Sequence, residues 1–193
     1  MSQGDIDFGV ASPLLLPDQS GSVTHELIAA GKPGVIYVIN RDDMGHFNTG
    51  GSDSQIVQED PVGNQIYTSP VYWNGNLYIG SVGGNMAAYS VSAGMLSGAP
   101  VSQSPEQFGG WGPSASLSAN GTTAAIVWTV DGGGTGLYAY DATNLANELY
   151  NTNQAANGRD TPGQVVKFAV PTIAKGHVYL GTQTELDVYG LLP

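Results

Sequence analysis

Seven residues that fall in turns carry the groups a polar reaction or a ligand site needs: the carboxylates Glu106, Asp131 and Glu185, the flat ring of Trp111, and the charges of Lys32, Arg159 and Asp160. Carboxylates divide general-acid and general-base roles when burial separates their pKa values, and a tryptophan stacks on a sugar ring or another flat ligand. No spacing rule links the seven, so solvated loop residues are the plainer account. A second group, Asp42, Asp43 and His46, offers oxygen and imidazole donors within residues 40–46 that could hold calcium or another divalent metal. It lacks the alternating acids and distal glutamate of a calcium loop. A turn in which Asp42 or Asp43 caps backbone N–H groups is the simpler reading. Asp5 and Asp7 read as a solvated terminal pair.

Other chemistries find no support. The three histidines, His25, His46 and His177, are widely separated, and His25-Glu26 has no second histidine at zinc-protease spacing. There is no Gly-x-Ser-x-Gly elbow; Gly80-Ser81-Val82-Gly83 is the nearest approach and reads as the end of a strand. The clusters Gly83-Gly84 and Gly132-Gly133-Gly134 neither open a helix nor precede Gly-Lys-Ser or Gly-Lys-Thr, so they read as tight turns and not as phosphate cradles.

Composition narrows the class further. Hydrophobic residues make up 41% of the 193 and charged residues only 11%, against about 25% charged in an average soluble domain. With 28 glycines and no cysteine, the chain reads as many short strands joined by tight turns, without disulfides, thiol nucleophiles or zinc-thiolate sites. A net charge of −11 repels nucleic acid and anionic membranes, which are excluded as partners. The apolar stretches are far shorter than the roughly 20 residues that span a bilayer, and the start has no basic region ahead of an apolar one, so no export signal is expected.

The elements that would position these groups repeat. Val38-Ile39-Asn40, Ala88-Tyr89-Ser90, Ala139-Tyr140-Asp141 and Val188-Tyr189-Gly190 share one pattern, and their middle residues fall 50, 51 and 49 apart. A period of this length belongs to propeller blades. The sequence therefore predicts an all-β, single-domain β-propeller over residues 1–193, with four blades of three to four antiparallel strands near 8–58, 66–103, 112–152 and 166–193. Strands are expected at 10–17, 27–31, 35–40 and 55–58; at 67–73, 77–82, 86–91 and near 101; at 114–119, 124–130, 136–141 and near 149; and at 168–174, 178–182 and 186–191. Turns at Asn74-Gly75, Asn120-Gly121 and Lys175-Gly176 join the first two strands of the last three blades. In this architecture the turns on one face gather around a central channel, which would bring the seven turn residues together.

The last blade stops without an outer strand, and an unpaired edge invites pairing with another chain. Two closures fit: a small closed four-blade ring, or a half-propeller completed by dimerisation.

Several segments resemble the C-terminal part of bacterial proteins built from pyrroloquinoline-quinone-type propeller repeats: Ser12-Pro13-Leu14-Leu15-Leu16-Pro17-Asp18, residues 38–45, residues 137–145, and Val170-Pro171-Thr172 running to Gly181-Thr182-Gln183. The resemblance implies a propeller, usually exported to the periplasm or secreted, with more blades than this chain contains. It does not carry the cofactor. The repeat's Ala-x-Asp-x-x-Thr-Gly and following tryptophan survive only as Ala139, Asp141 and Thr143, with Leu149-Tyr150 where the tryptophan would stand. The stacking tryptophan, calcium ligands and catalytic aspartate find no matching positions, so quinone is not expected. The functional expectation is a self-associating scaffold or binding module, a homodimer without a catalytic motif. The alternatives are a hydrolase or lyase acting on carbohydrate or a related small molecule at the channel mouth, and the distal half of a quinone- or metal-dependent oxidoreductase.

Overall fold

The computed structural model describes residues 4–51, 53 and 55–191. The chain folds into four antiparallel sheets laid down in sequence order. The first holds β1 (Leu14–Leu15), β2 (Glu26–Ala30), β3 (Val35–Asn40) and β4 (Gln58–Pro61). The second holds β5 (Val71–Trp73), β6 (Asn76–Gly80), β7 (Asn85–Ser92), β8 (Met95–Leu96) and β9 (Ser102–Gln107). The third holds β10 (Pro113–Asn120), β11 (Thr123–Asp131), β12 (Leu137–Asp141) and β13 (Glu148–Asn151). The fourth holds β14 (Thr172–Ala174), β15 (His177–Gly181) and β16 (Leu186–Tyr189). Each sheet is a meander whose strands pair with their neighbours in the chain; β8 and β9 both pair with β7. Among the described residues no helix is long and apolar enough to cross a membrane.

Turn chemistry sets the hairpins. Asn74-Gly75 (φ 46° and 82°) and Lys175-Gly176 (φ 50° and 78°) are two-residue turns with both residues left-handed, the geometry that matches strand twist and that Asn-Gly favours. Prolines set where strands begin. The expected strands at 10–17, 67–73 and 168–174 shorten to Leu14–Leu15, Val71–Trp73 and Thr172–Ala174, because Pro13, Pro17, Pro70 and Pro171 lack the N–H a ladder needs. Two outer strands also move. The one expected at 55–58 lies at Gln58–Pro61, and the one near 101 at Ser102–Gln107, displaced by the small β7–β8 hairpin through Ala93-Gly94.

Side chains alternate along each strand, so every sheet has two faces. Ile28, Ile36 and Val38 of the first sheet pack with Leu77, Ile79, Ala87 and Tyr89 of the second. Tyr78, Met86 and Ala88 of the second pack with Ala125, Val127 and Tyr140 of the third. Val130 and Leu137 of the third pack with Val178 and Leu180 of the fourth. Polar bonds cross the second and third of these junctions: Thr68 Oγ1 donates to Pro113 O at 2.7 Å, Trp73 Nε1 to Gly121 O at 2.8 Å, Tyr78 Oη to Ala142 O at 2.7 Å, and Ser116 Oγ to Pro171 O. Four sheets thus share three apolar cores. The forward face of the fourth and the backward face of the first have no such core, and Leu186, Val188, Leu15 and Phe8 are exposed there.

Candidate functional site

The connectors entering the second, third and fourth sheets each deliver one aromatic ring to a common cluster. Tyr67 meets Trp111 edge-on at 5.7 Å between ring centres, and Phe168 lies 6.2 Å from Tyr67 and 6.4 Å from Trp111. Phe168 adopts φ 66°, a costly backbone for a bulky residue that its surroundings must enforce. Lys167 Nζ stands 3.8 Å from the centre of the Trp111 ring and 5.0 Å from that of Phe168, a cation–π contact that occupies one face of the indole. The Trp111 backbone N–H donates to Gly132 O at 3.0 Å, which holds the chain at Trp111 against the turn that Asp131 opens. The Asp131 carboxyl has a buried oxygen, Oδ1, without a hydrogen-bond partner. Burial raises its pKa above the usual carboxylate range, opposed by a bond from the Gly109 backbone. Of the seven turn residues, Asp131 and Trp111 are brought to one turn through Gly132, and the sequence neighbours Arg159 and Asp160 pair with each other.

The others are engaged elsewhere. Glu106 lies on β9, where its Oε2 accepts from Tyr140 Oη at 2.5 Å across the junction of the second and third sheets. Glu148 on β13 joins it there; burial first, and then the hydrogen bond to Glu106, raises the Glu148 pKa, while Asn151 and Gln154 donate to its Oε1. Glu185 is exposed in the turn before β16, with its backbone N–H bonded to Thr182 Oγ1 at 3.3 Å. No hydrogen bond among the described residues links Glu106, Asp131 and Glu185. Lys32 is held by Asp7 at 2.7 Å and Asp5 at 2.9 Å, which raise its pKa. The acidic pair read as solvated is therefore the lysine's counter-charge. Arg159 grips Asp160 through two bonds of 2.6 and 2.8 Å, and Tyr150 donates to the same carboxylate at 2.7 Å. Arg159 and then Tyr150 hold the Asp160 pKa down at about 2.

Asp42, Asp43 and His46 do not converge. Asp42 Oδ2 meets His25 Nδ1 at 2.7 Å, and Asp42 N–H donates to Asn40 Oδ1. Asp43 Oδ1 accepts from the Gly45 N–H at 3.0 Å, and His46 is exposed. Among the described residues no group of three or more histidine or acidic side chains is placed to hold a metal ion.

Two features escaped the residue-by-residue reading. One is a repeated clasp. Tyr89, Tyr140 and Tyr189 occupy the same position of successive sheets, and each reaches towards a segment that precedes its own sheet. Burial and then the charge of Asp60 push Tyr89 up to about 12; Tyr140 bonds Glu106; Tyr189 Oη donates to the Asp160 carbonyl at 3.1 Å. The spacing that revealed the repeat already marked these tyrosines, but nothing marked their partners, which sit at different offsets. The other is a cleft of about 350 Å³ between the first two sheets, lined by Val62, Asn64, Ile66, Ile79, Asn85 and Tyr89 among others. Its lining comes from scattered segments, which leaves no local motif.

No protein-family model matches the chain, and no curated protein matches it. Solved structures do. A computationally designed protein, Ika4, superposes with a TM-score of 0.58 at 12% identity, over 97% of this chain and 92% of that one. A second computationally designed protein, Ika8, superposes with a TM-score of 0.56 at 12% identity, over 86% of this chain but 43% of that one. The chain thus spans less than half the length of Ika8. At this identity the likeness concerns the fold alone.

Proposed function

We propose that the chain is a non-catalytic β-propeller scaffold of the pyrroloquinoline-quinone repeat type, exported from the cell, that associates with a second copy of itself. One observation carries the reading: four sheets share three cores. A row of meanders, each with two faces built to meet a neighbour, is the arrangement of blades about an axis, and four of them leave one face open at each end. Exposed apolar faces of this kind mark interaction surfaces, and the free edge of β16 adds unpaired backbone groups. The regular spacing and the propeller-type segments agree with this reading, as does the occurrence of the same fold both alone and within a chain of about twice the length. Sedimentation at micromolar concentration is expected to give the mass of two chains. A particle of one-chain mass throughout that range would overturn self-association.

A second reading, a carbohydrate or small-molecule site at the aromatic connector cluster, is favoured by the unpartnered buried oxygen of Asp131 beside Trp111. A hydrolase or lyase of this fold would work there, with Asp131 as its titrating group. Oligosaccharide titration followed by tryptophan fluorescence is expected to give a saturable change that Trp111→Ala abolishes. A flat response from the unmodified protein removes this reading.

A further inference from the structure

The manner in which two copies meet can be read from equivalent positions in the repeat. On the third strand of each sheet, Ile36, Met86, Leu137 and Leu186 are equivalent, as are Val38, Ala88, Ala139 and Val188. In the first three sheets these forward-facing residues are at most 1% exposed, covered by the next sheet; in the fourth, Leu186 is 65% and Val188 53% exposed. The fourth sheet therefore carries the apolar side chains of a covered face with no cover.

The opposite end shows what fits. At the clasp position the backward faces carry Tyr89, Tyr140 and Tyr189: Tyr89 feels the charge of Asp60, Tyr140 donates to the Glu106 carboxylate, and Tyr189 donates to the backbone carbonyl of Asp160. Asp60 and Glu106 come from outer strands, and Asp160 from the segment after one. In the first sheet the equivalent residue is Ile39. Among the described residues the fourth sheet has no outer strand, so it has no counterpart of Glu106 on β9, and a phenol buried there would lack the partner that Tyr140 has. An aliphatic residue suits that neighbour. Leu27 and Tyr37 lie on the same backward face, with Phe8 packed edge-on against Tyr37 at 5.2 Å.

Resting on the self-associating scaffold proposed above, we infer that the forward face of the fourth sheet in one copy packs on the backward face of the first sheet in a second copy. Two equivalent junctions related by a two-fold axis close eight sheets into one ring. Faces make the contact, and the β16 edge is not the seam. The occupant is a second copy because the chain's own first sheet does not cover the fourth, and because the fit of Ile39 is to a sheet without an outer strand. The forward face of the fourth sheet presents His177, Tyr179, Leu186 and Val188 and no carboxylate, which suits contact between two chains that each carry −11.

Complementation of two lesions tests this. Val188→Lys damages one face and Ile39→Lys the other, and each alone is expected to shift the protein from two-chain to one-chain mass while far-UV circular dichroism is retained. An equimolar mixture is expected to recover association, because a mixed pair contains one undamaged junction. Retained dimers in either variant, the result an edge-to-edge or fourth-to-fourth contact gives, overturn the inference, and so does a mixture that stays monomeric. If a lysine variant fails to fold, cysteines replace it in this cysteine-free chain. With a thiol cross-linker spanning the ~10 Å between packed sheets, Val188→Cys/Ile39→Cys is expected to give covalent dimers and Val188→Cys alone none; equal cross-linking by both overturns the proposed junction. A monomeric unmodified protein would instead sink the self-association reading itself.

Discussion

Tyr78→Ala is expected to lose about 3–5 kcal/mol of folding stability, a large share of the roughly 5–15 kcal/mol that holds a domain together. Tyr78 is fully buried on β6, facing the third sheet. It works in two ways at one junction. Its ring fills the space between Met86 and the Ala125–Val127 wall, and its hydroxyl satisfies the Ala142 carbonyl at 2.7 Å. Burial also pushes its phenol up to about 12, so the donor stays protonated throughout the physiological range. Tyr78→Phe keeps the ring and leaves the carbonyl unpaired, a loss of about 1–3 kcal/mol. Urea denaturation of the three proteins separates the contributions. An alanine variant within 1 kcal/mol of the parent would mean that the second and third sheets are not joined here.

The second large effect is on pH dependence. Glu26 is 1% exposed and its Oε2 has no partner; Asp60, Asp131 and Asp187 each carry a similarly orphaned buried oxygen. Burial is the leading cause that raises all four pKa values from references of 4.5 for Glu26 and 3.8 for the aspartates. A carboxyl that holds its proton more tightly when folded favours folding fully below the unfolded pKa, and that advantage is lost as pH rises through the folded value. Asp160 works in the opposite sense, with a folded value of about 2, so its contribution is present above 3.8 and lost on strong acidification. Thermal midpoints are therefore expected to rise as pH falls from 8 to about 4.5 and to drop again towards 2. Relief of the −11 charge adds to the first trend. Glu26→Gln removes the most buried of these charges. It should raise the midpoint at pH 7 and flatten the rise on acidification, whereas an unchanged profile would show that Glu26 ionises without cost.

Much of the scaffold was legible because strands and turns leave local marks. The 50-residue spacing located the third strand of all four sheets, and Asn74-Gly75 and Lys175-Gly176 located two of the hairpins that precede them. Strand starts differ where a proline falls inside the expected strand, as at Pro13, Pro70 and Pro171; the missing N–H delays the ladder there. The Ala93-Gly94 hairpin was missed for a different reason. Only two residues of β8 pair beyond it, too few to show alternation. Site geometry was less legible still. Glu106, Asp131 and Glu185 were grouped because all three fall in expected turns, yet Glu106 sits within β9 and faces a tyrosine of the next sheet. Lys32 and Arg159 were candidates for a ligand because they are charged. Their counter-ions, Asp5 and Asp7 in one case and Asp160 in the other, lie 25 or more residues away or immediately adjacent, and sequence distance distinguishes neither from a free cation.

The one-directional meander has a bearing on how the chain is made. Every hairpin closes within its own fifty residues, and each sheet shares its apolar cores only with those beside it, so structure can accumulate in the order of translation: a sheet leaving the ribosome finds the previous one already formed and ready to receive it. The sticky surface of Leu186 and Val188 is then assembled only after the first three sheets have buried theirs against one another.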